Sequence, residues 1–214
     1  MHIVITGANR GIGASLADTY SARGAEVTGT SRSAGTLSQL DVTDPASQSR
    51  FVASLGDDPV DLLICNAGVY LDKNEALEDG YAPDLWDQTF AANVKGVFLT
   101  VQALLHNLKR SAQPKIAIIS STMASHTRAP GGSYIYRASK AAALNLGRNL
   151  ATDLRGANIA VGIYHPGWVR TDMGGATADI DLAESVSGLT AQFDALSMET
   201  TGAFLNWDGR PHAF

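Results

Sequence analysis

The chain has 214 residues, a length that fits one large domain better than two full-sized ones. Its composition, with 45% hydrophobic and 17% charged residues, is typical of a folded globular protein and excludes a disordered or fibrous chain. The formal net charge is -5, so the sequence lacks the positive charge that broad binding to nucleic acid requires.

Cysteine and histidine are both sparse in the chain. Cys65 is the only cysteine, so an intrachain disulfide is excluded and a reducing setting is expected. The five histidines have no Cys or His at metal-ligand spacing, so we expect no metal site. The N-terminal residues do not resemble a signal peptide, and no apolar stretch approaches a membrane span. We therefore expect a cytoplasmic protein without a membrane partner.

Short apolar runs alternate with longer amphipathic segments. The apolar runs predict strands at residues 2–6, 26–30, 61–65, 115–120, 158–164 and 201–205. Helical periodicity predicts helices at residues 11–23, 84–109, 133–155 and 182–196. Strands that are almost continuously hydrophobic are typical of a parallel sheet covered on both faces. The pattern predicts an α/β fold, a single domain over residues 1–214 with a doubly wound parallel sheet (Rossmann fold), and a ligand site beyond the carboxyl ends of the strands.

The first predicted strand leads into a glycine-rich segment, Thr6-Gly7-Ala8-Asn9-Arg10-Gly11-Ile12-Gly13. Glycines allow a tight turn and a close approach of an anion to the next helix, as the pyrophosphate of a dinucleotide needs. An ordinary glycine-rich turn is the alternative, but the strand before it and the helix after it favour a nucleotide site. The spacing resembles the T-G-x-x-x-G-x-G pattern of the short-chain dehydrogenase/reductase family. The resemblance implies cofactor contacts from Gly7, Asn9, Arg10, Gly11, Ile12 and Gly13.

Two further segments resemble motifs of this family. Asn66-Ala67-Gly68 follows the third predicted strand and is similar to the family's N-A-G segment, which implies cofactor contacts. Asn93 lies inside a predicted helix and is similar to the family's helical asparagine. Taken alone, Asn66 could form a turn and Asn93 could bond to a backbone carbonyl. Cys65 stands where the family more usually has asparagine, and we interpret it as a small buried side chain, because no cationic neighbour is evident that would activate the thiol.

The segment Tyr136-Arg137-Ala138-Ser139-Lys140 places a phenol and an ammonium four residues apart on a predicted helix. Residues at this spacing share one helix face, so the Lys140 ammonium can lie beside the Tyr136 phenol. Lowering a phenol pKa from near 10 to about 7 takes roughly 4 kcal/mol, which a nearby cation can supply. The phenol could then act as a general acid or base. A plain surface pair is the alternative, and Tyr134 is a competing phenol without a lysine at the fourth position onward.

Two serines, Ser120 and Ser121, end the strand before this helix. Either hydroxyl could cap backbone groups instead of binding substrate. In the family, the second serine of such a pair usually holds the carbonyl oxygen, which favours Ser121. The spacing of fifteen residues from Ser121 to Tyr136 is longer than is common in the family, and we expect a small insertion at residues 128–132.

The segment Pro166-Gly167-Trp168-Val169-Arg170-Thr171 follows a late strand and is similar to the family's P-G-x-V-x-T segment. The resemblance implies that Pro166, Gly167, Val169 and Thr171 border the nicotinamide. A plain strand-to-helix turn is the alternative. The resemblance covers the whole chain and is closest to the C-factor-like and sniffer-like carbonyl reductase branch.

The end of the second predicted strand, Thr30-Ser31-Arg32, carries no acid that would repel a 2'-phosphate. Arg32 and Arg10 could clamp that phosphate from two sides, so we expect NADP(H), with NAD(H) possible; the alternative is that either arginine is merely solvated. Asp41 and the adjacent Val42 resemble the family's contact with the adenine ring. The eight residues between Arg32 and Asp41 are too few for a crossover helix plus a strand, so the second crossover is expected to be abbreviated.

The resemblance implies hydride transfer between nicotinamide and a small carbonyl or alcohol substrate. Ser121 would hold the substrate oxygen and Tyr136 would move the proton. Lys140 would lower the phenol pKa and bind the nicotinamide ribose, and Asn93 would hold a water on the proton path. Two alternatives stay open, a nucleotide-binding regulatory or signalling protein with little turnover, and an epimerase or dehydratase acting on a sugar nucleotide. A homo-oligomer through helices 84–109 and 133–155 is a further expectation.

Overall fold

The computed structural model describes residues 1–33, 35–127 and 129–214. Over these residues the chain forms a seven-stranded, entirely parallel sheet with the strand order β3-β2-β1-β4-β5-β6-β7. The strands are β1 (His2–Ile5), β2 (Glu26–Ser31), β3 (Ser38–Gln39), β4 (Leu62–Cys65), β5 (Lys115–Ile119), β6 (Ala160–His165) and β7 (Phe204–Asn206). The predicted doubly wound α/β fold is confirmed.

Helices cover both faces of the sheet. They are α1 (Gly11–Ala22), α2 (Pro45–Leu55), α3 (Pro83–Phe90), α4 (Gly96–Ala103), α5 (Leu105–Lys109), α6 (Tyr134–Asp153) and α7 (Leu182–Ala195). Alternate residues of one strand enter different cores, since Val4 packs in one cluster of buried side chains and Ile3 and Ile5 in the other. This two-sided burial explains why the strands read as continuous apolar runs.

The structure differs from the sequence-based prediction at three places. Helix α2 was not predicted; its first turn is capped by Asp44, whose carboxylate accepts hydrogen bonds from two backbone N–H groups. The single helix predicted over 84–109 is divided by a π-helical turn at Ala91–Lys95 and by a break at Leu104. The second crossover is abbreviated as expected and has no helix among its described residues, but it still contains the two-residue strand β3, paired with β2.

The first three strands run in order from β1 to one edge of the sheet, and strands β4 to β7 run in order to the other edge. The point between β1 and β4, where the direction of winding changes, is the switch point of the sheet. In open parallel sheets this switch point leaves a crevice beyond the strand carboxyl ends, where ligands bind. Among the described residues, no helix is long and apolar enough to cross a membrane, and no group of His, Cys, Asp and Glu is arranged to hold a metal ion.

Candidate active site

A groove with a volume of about 300 Å³ lies at this switch point. The predicted cofactor residues that line it are Gly7, Asn9, Arg10, Gly11, Ile12, Arg32, Asp41, Val42, Asn66, Ala67, Gly68, Tyr136, Lys140, Pro166 and Thr171. Of the other predicted site residues in the described chain, the groove wall does not include Gly13, Gly167, Val169, Asn93 or Ser121. The groove therefore brings together segments that are far apart in sequence.

The glycine-rich turn after β1 forms the floor of one end of the groove. Gly7 and Gly11 have φ angles of 68° and 56°, a region that favours glycine. A Cβ atom on Gly13 would lie 2.3 Å from the Gly7 carbonyl oxygen, so this position requires glycine for packing, behind the groove wall. Asn66 holds the turn, because its Nδ2 donates to the carbonyl oxygens of Thr6 and Gly7, each at 3.0 Å.

The N-terminus of α1 opens onto this turn. Arg10 is its N-cap residue, and its side chain makes no capping hydrogen bond. The first backbone N–H groups of a helix have no intrahelical partner, and together with the helix dipole they favour an anion. The turn and the helix end therefore have the geometry and the charge that suit an anion.

The two arginines of the predicted clamp differ in their contacts. Arg32 lines the groove at the end of β2 and is exposed. Arg10 Nη1 lies 2.7 Å from Asp172 Oδ2, so its guanidinium pairs with a carboxylate on the other side of the groove. Asp41 Oδ1 accepts hydrogen bonds from the backbone N–H and the hydroxyl of Thr43, which fixes the loop beside Arg32.

Tyr136 and Lys140 lie on the same face of α6, are both buried, and both line the groove. Lys140 Nζ lies 5.5 Å from the centre of the Tyr136 ring and donates to the Ile119 carbonyl oxygen at 3.0 Å. Tyr134, the competing phenol, is 40% exposed and does not line the groove. The structure therefore brings together the predicted phenol and ammonium and leaves the other phenol outside.

The two candidate serines have different partners. Ser120 lines the groove, but its hydroxyl donates to the Lys140 carbonyl oxygen at 3.1 Å. The Ser121 hydroxyl accepts from the Met123 N–H at 3.0 Å and lies close enough to the Tyr136 phenol to lower its pKa. Ser121 is therefore the serine beside the phenol.

The loop between Ser121 and α6 is the place of the predicted insertion. The first residue of the predicted insertion, Arg128, lies outside the described residues. Gly131 and Gly132 both have positive φ angles, 81° and 67°, and they lead directly into the N-cap residue of α6.

Burial dominates the ionisation of Tyr136 and Lys140. It raises the pKa of Tyr136 above its usual range; the Ser121 hydrogen bond lowers the pKa, while Tyr70 and Asp72 raise it further. Burial also lowers the pKa of Lys140 to about 8. For the groups of the chain itself the pKa of the phenol thus moves upward, against the expectation that Lys140 brings it toward neutrality, because desolvation disfavours the phenolate.

Asn93 lies in the π-helical turn and is buried. Its Oδ1 accepts from the Val69 N–H at 2.8 Å, and its Nδ2 donates to the Val69 carbonyl oxygen at 2.9 Å and to Ser139 Oγ at 3.0 Å. The protein itself therefore uses three of the four hydrogen-bonding positions of this side-chain amide, and a water held by Asn93 stays a prediction.

The segment after β6 forms the far wall of the groove. Pro166 and Thr171 line it. Gly167 has a φ of 88°, and a Cβ atom there would lie 2.3 Å from Ile180 Cδ1, so it shapes the turn and packs behind the wall. Val169 is buried and forms a parallel bridge with Ile180.

Two residues of the site were missed by the sequence analysis. Tyr70 stacks on the Tyr136 ring, and the buried Asp72 accepts hydrogen bonds from the first turn of α6. The one signal in the sequence that could have identified this segment is an acidic residue, Asp72, in the otherwise uncharged stretch that follows Gly68. Cys65, predicted as a small buried side chain, is buried as expected, and burial raises the pKa of its thiol to about 12.

Residues 1–180 match the family model described as short chain dehydrogenase. The chain belongs to the short-chain dehydrogenase family. This short-chain dehydrogenase is 38% identical over 160 residues to "C-signal" of Myxococcus xanthus, a match covering 74% of this chain and 95% of that protein. It is 31% identical over 209 residues to the 3-oxoacyl-[acyl-carrier-protein] reductase FabG of Escherichia coli, covering 90% of this chain and 81% of the relative.

Among solved structures, an NADPH-bound carbonyl reductase from chicken fatty liver superposes on this short-chain dehydrogenase with a TM-score of 0.90 at 31% identity. The superposition covers 100% of this chain and 98% of that one. The predicted family and its carbonyl-reductase-like branch are confirmed, and the protein is an oxidoreductase.

Proposed function

We propose that this oxidoreductase is an NADP(H)-dependent reductase of small carbonyl compounds, with Tyr136 as the general acid, in a single domain of residues 1–214. The observation that carries the proposal is the buried Tyr136 phenol, which lies beside Lys140 in the groove and whose pKa is lowered by the neighbouring Ser121. A surface tyrosine and lysine at this spacing would share neither the burial nor the serine.

The chemistry of the residues that line the groove supports a dinucleotide ligand. The turn at Gly7 and Gly11, closed behind by Gly13, would hold the pyrophosphate together with Asn9 and Ile12. The other predicted contacts that line the groove extend along it to either side, whereas Gly167 and Val169 do not line it. Arg32, with Arg10, would hold a 2'-phosphate, since the described end of β2 carries no carboxylate. Because an NADPH-bound carbonyl reductase superposes over the full chain, we favour NADP(H), with NAD(H) as a weaker ligand.

The proton chemistry follows from the burial of the phenol. A raised pKa keeps Tyr136 protonated at neutral pH, which suits an acid that donates to a developing alkoxide. Ser121 would orient the substrate oxygen, and Lys140 would bind the nicotinamide ribose. The reduced nicotinamide supplies the hydride when it is bound. Near pH 7 the phenol therefore carries the proton that carbonyl reduction would require.

The test is turnover. The purified protein should oxidise NADPH in the presence of some members of a panel of aldehydes, ketones, diones and a 3-oxoacyl thioester. The last compound represents the substrate type in the name of the E. coli relative. NADPH binding without turnover of any panel member would reject the proposal.

A second candidate, a regulatory or signalling protein with little turnover, is favoured by one observation. The M. xanthus relative carries the name C-signal. In that case, Tyr136→Phe would leave the biological effect of the protein intact, whereas a variant defective in NADPH binding would abolish it. If the protein is a reductase, both variants would lose function together.

Two expectations about its surroundings stay proposals. We propose a cytoplasmic location, since Cys65 is buried and unpaired, as suits a reducing compartment. We also propose a homo-oligomer through the outer faces of α3, α4 and α6, where Trp86, Phe98 and Tyr134 are exposed. Light scattering of the purified protein tests the latter, and a monomer would reject it.

A further inference from the structure

We propose that residues 69–72 form a positioning segment for Tyr136, and that the buried carboxylate of Asp72 is its main contact. The inference rests on the proposed function, because it assigns a role in the same reaction. It concerns residues outside every motif that the sequence analysis identified.

Asp72 is fully buried, at 0% exposure, and its bonds go to the helix that carries the phenol. Its Oδ2 accepts from the Ile135 N–H at 2.8 Å, and its Oδ1 accepts from the Tyr136 N–H at 3.2 Å. Among the residues that the structure describes, no lysine or arginine pairs with this carboxylate. The N–H groups at the start of α6, which have no partner within the helix, therefore supply the hydrogen bonds that this buried side chain requires.

The first turn of α6 needs this acceptor because the side chain of its own N-cap residue accepts no hydrogen bond from the helix. Ser133 has φ 49° and ψ 40°, in the left-handed region, and its side chain makes no capping hydrogen bond. An N-cap side chain normally reaches the N–H groups from extended backbone. The Ser133 hydroxyl instead bonds to the Tyr70 phenol. Tyr70 thus engages the cap residue, and Asp72 accepts the hydrogen bonds that the cap side chain would normally accept.

The segment also touches the Tyr136 side chain directly. The rings of Tyr70 and Tyr136 are stacked, with centres 4.2 Å apart and planes inclined by 21°. Tyr136 is thus held by its backbone N–H through Asp72 and by its ring face through Tyr70. One short stretch of chain therefore contacts both the backbone and the ring of Tyr136.

The other end of the segment is fixed to the groove. Both backbone polar groups of Val69 bond to the Asn93 side chain, and Val69 directly follows Gly68, which lines the groove. The segment therefore joins the proposed nicotinamide side of the groove to the first turn of α6. Since a displacement of about 1 Å can reduce turnover on the order of 100-fold, the segment sets the geometry of proton transfer.

The test compares Asp72→Asn with a matched control, Asp44→Asn. The first substitution keeps the shape of the side chain but presents an NH₂ group to one of the two N–H donors. Asp44 also accepts from two N–H groups at the start of a helix, those of Ala46 and Ser47 at 2.9 and 3.1 Å, but it is the N-cap residue of α2 itself and does not line the groove. Three quantities are measured for each variant: kcat at saturating NADPH with the best panel substrate, the NADPH dissociation constant, and amide hydrogen exchange over residues 129–140.

We expect Asp72→Asn to lower kcat by about tenfold or more, with NADPH affinity retained within about threefold and exchange faster at the first turn of α6. Asp44→Asn should lower the melting temperature but leave kcat unchanged within about twofold. Equal losses of kcat and NADPH affinity in Asp72→Asn would show a merely structural role and overturn the proposal.

Two further measurements keep the outcome decisive. If Asp72→Asn does not fold, Tyr70→Leu removes the ring stack and leaves the carboxylate in place; it should lower kcat with NADPH affinity retained, and an unchanged kcat would overturn the proposal. Hydrogen exchange separates the positioning hypothesis from the proposed function, because it does not depend on turnover. An inactive wild-type protein rejects the proposed function, whereas unchanged exchange at Ile135 and Tyr136 in Asp72→Asn rejects the positioning segment.

Discussion

Arg10 and Asp172 form an ion pair across the mouth of the groove, with 2.7 Å between Nη1 and Oδ2. Both side chains are largely exposed, at 67% and 77%, so the pair contributes at most about 1 kcal/mol. It nevertheless competes with the proposed contact between Arg10 and a 2'-phosphate. The pair links the glycine-rich turn to the segment after β6, the two walls that would enclose a cofactor.

The variant Asp172→Asn should free Arg10 for the 2'-phosphate. We expect NADPH to bind up to about fivefold more tightly, while the affinity for NADH stays the same, because the gain is limited to the strength of one exposed pair. Fluorescence titration with the two cofactors measures both constants. A weaker NADPH complex would show that the ion pair closes the groove over the cofactor.

Arg32→Ala tests cofactor selection at the other end of the groove. Loss of a charged hydrogen bond to a 2'-phosphate costs about 1.5–3 kcal/mol, so the NADPH dissociation constant should rise by roughly 10- to 100-fold, and that of NADH far less. Arg50→Ala is the control, because Arg50 is also exposed but lies on α2 and does not line the groove. Equal losses for the two cofactors in Arg32→Ala would reject the phosphate contact.

The packing behind the glycine-rich turn predicts the effect of Gly13→Ala. The new Cβ would lie 2.3 Å from the Gly7 carbonyl oxygen and 2.5 Å from Asn66 Nδ2, so the turn must move. We expect NADPH affinity to fall by about tenfold or more, since overpacking of this kind costs about 1–3 kcal/mol. In Gly156→Ala, where nothing lies within 4 Å of the new Cβ, NADPH affinity should not change. Similar affinities in the two variants would contradict this account of the turn.

The lowered pKa of Lys140 predicts the pH dependence of kcat/KM. The ammonium is present below about pH 8 and is lost as the pH rises through that value, so carbonyl reduction should decline above about pH 8. The Tyr136 phenol stays protonated over the same range, because its pKa is raised, and contributes no loss there. A profile measured at saturating NADPH that stays flat to about pH 10 would show that the ammonium is not required.

Local signals were sufficient for the features that the sequence predicted well. The parallel sheet followed from continuous apolar runs, and the glycine-rich turn followed from its position between a strand and a helix. Helix α2 carried a signal that was overlooked, an N-cap at Asp44 followed by proline at the first helical position. Strand β3 carried almost none, because its two residues are extended only through pairing with β2.

The chemistry of the site depended on contacts that spacing cannot show. The roles of Ser120 and Ser121 separate only because one hydroxyl meets the Lys140 carbonyl and the other meets the phenol. The phenol pKa was predicted with the wrong sign for the chain's own groups, since the i to i+4 spacing gives the nearby cation but not the depth of burial. Asp72 lies more than sixty residues before its partners, Ile135 and Tyr136, so its role is fixed by the fold alone.

The most direct measurement of the central claim is carbonyl reduction by Tyr136→Phe, with Tyr134→Phe as the control. Phenylalanine keeps the ring that stacks on Tyr70 and removes only the phenol oxygen. We expect Tyr136→Phe to lower kcat by about 100- to 10,000-fold, the usual contribution of a general acid, with NADPH affinity retained within a few-fold. Tyr134→Phe should retain full activity, because Tyr134 lies outside the groove. Full activity in Tyr136→Phe would contradict the assignment of the acid.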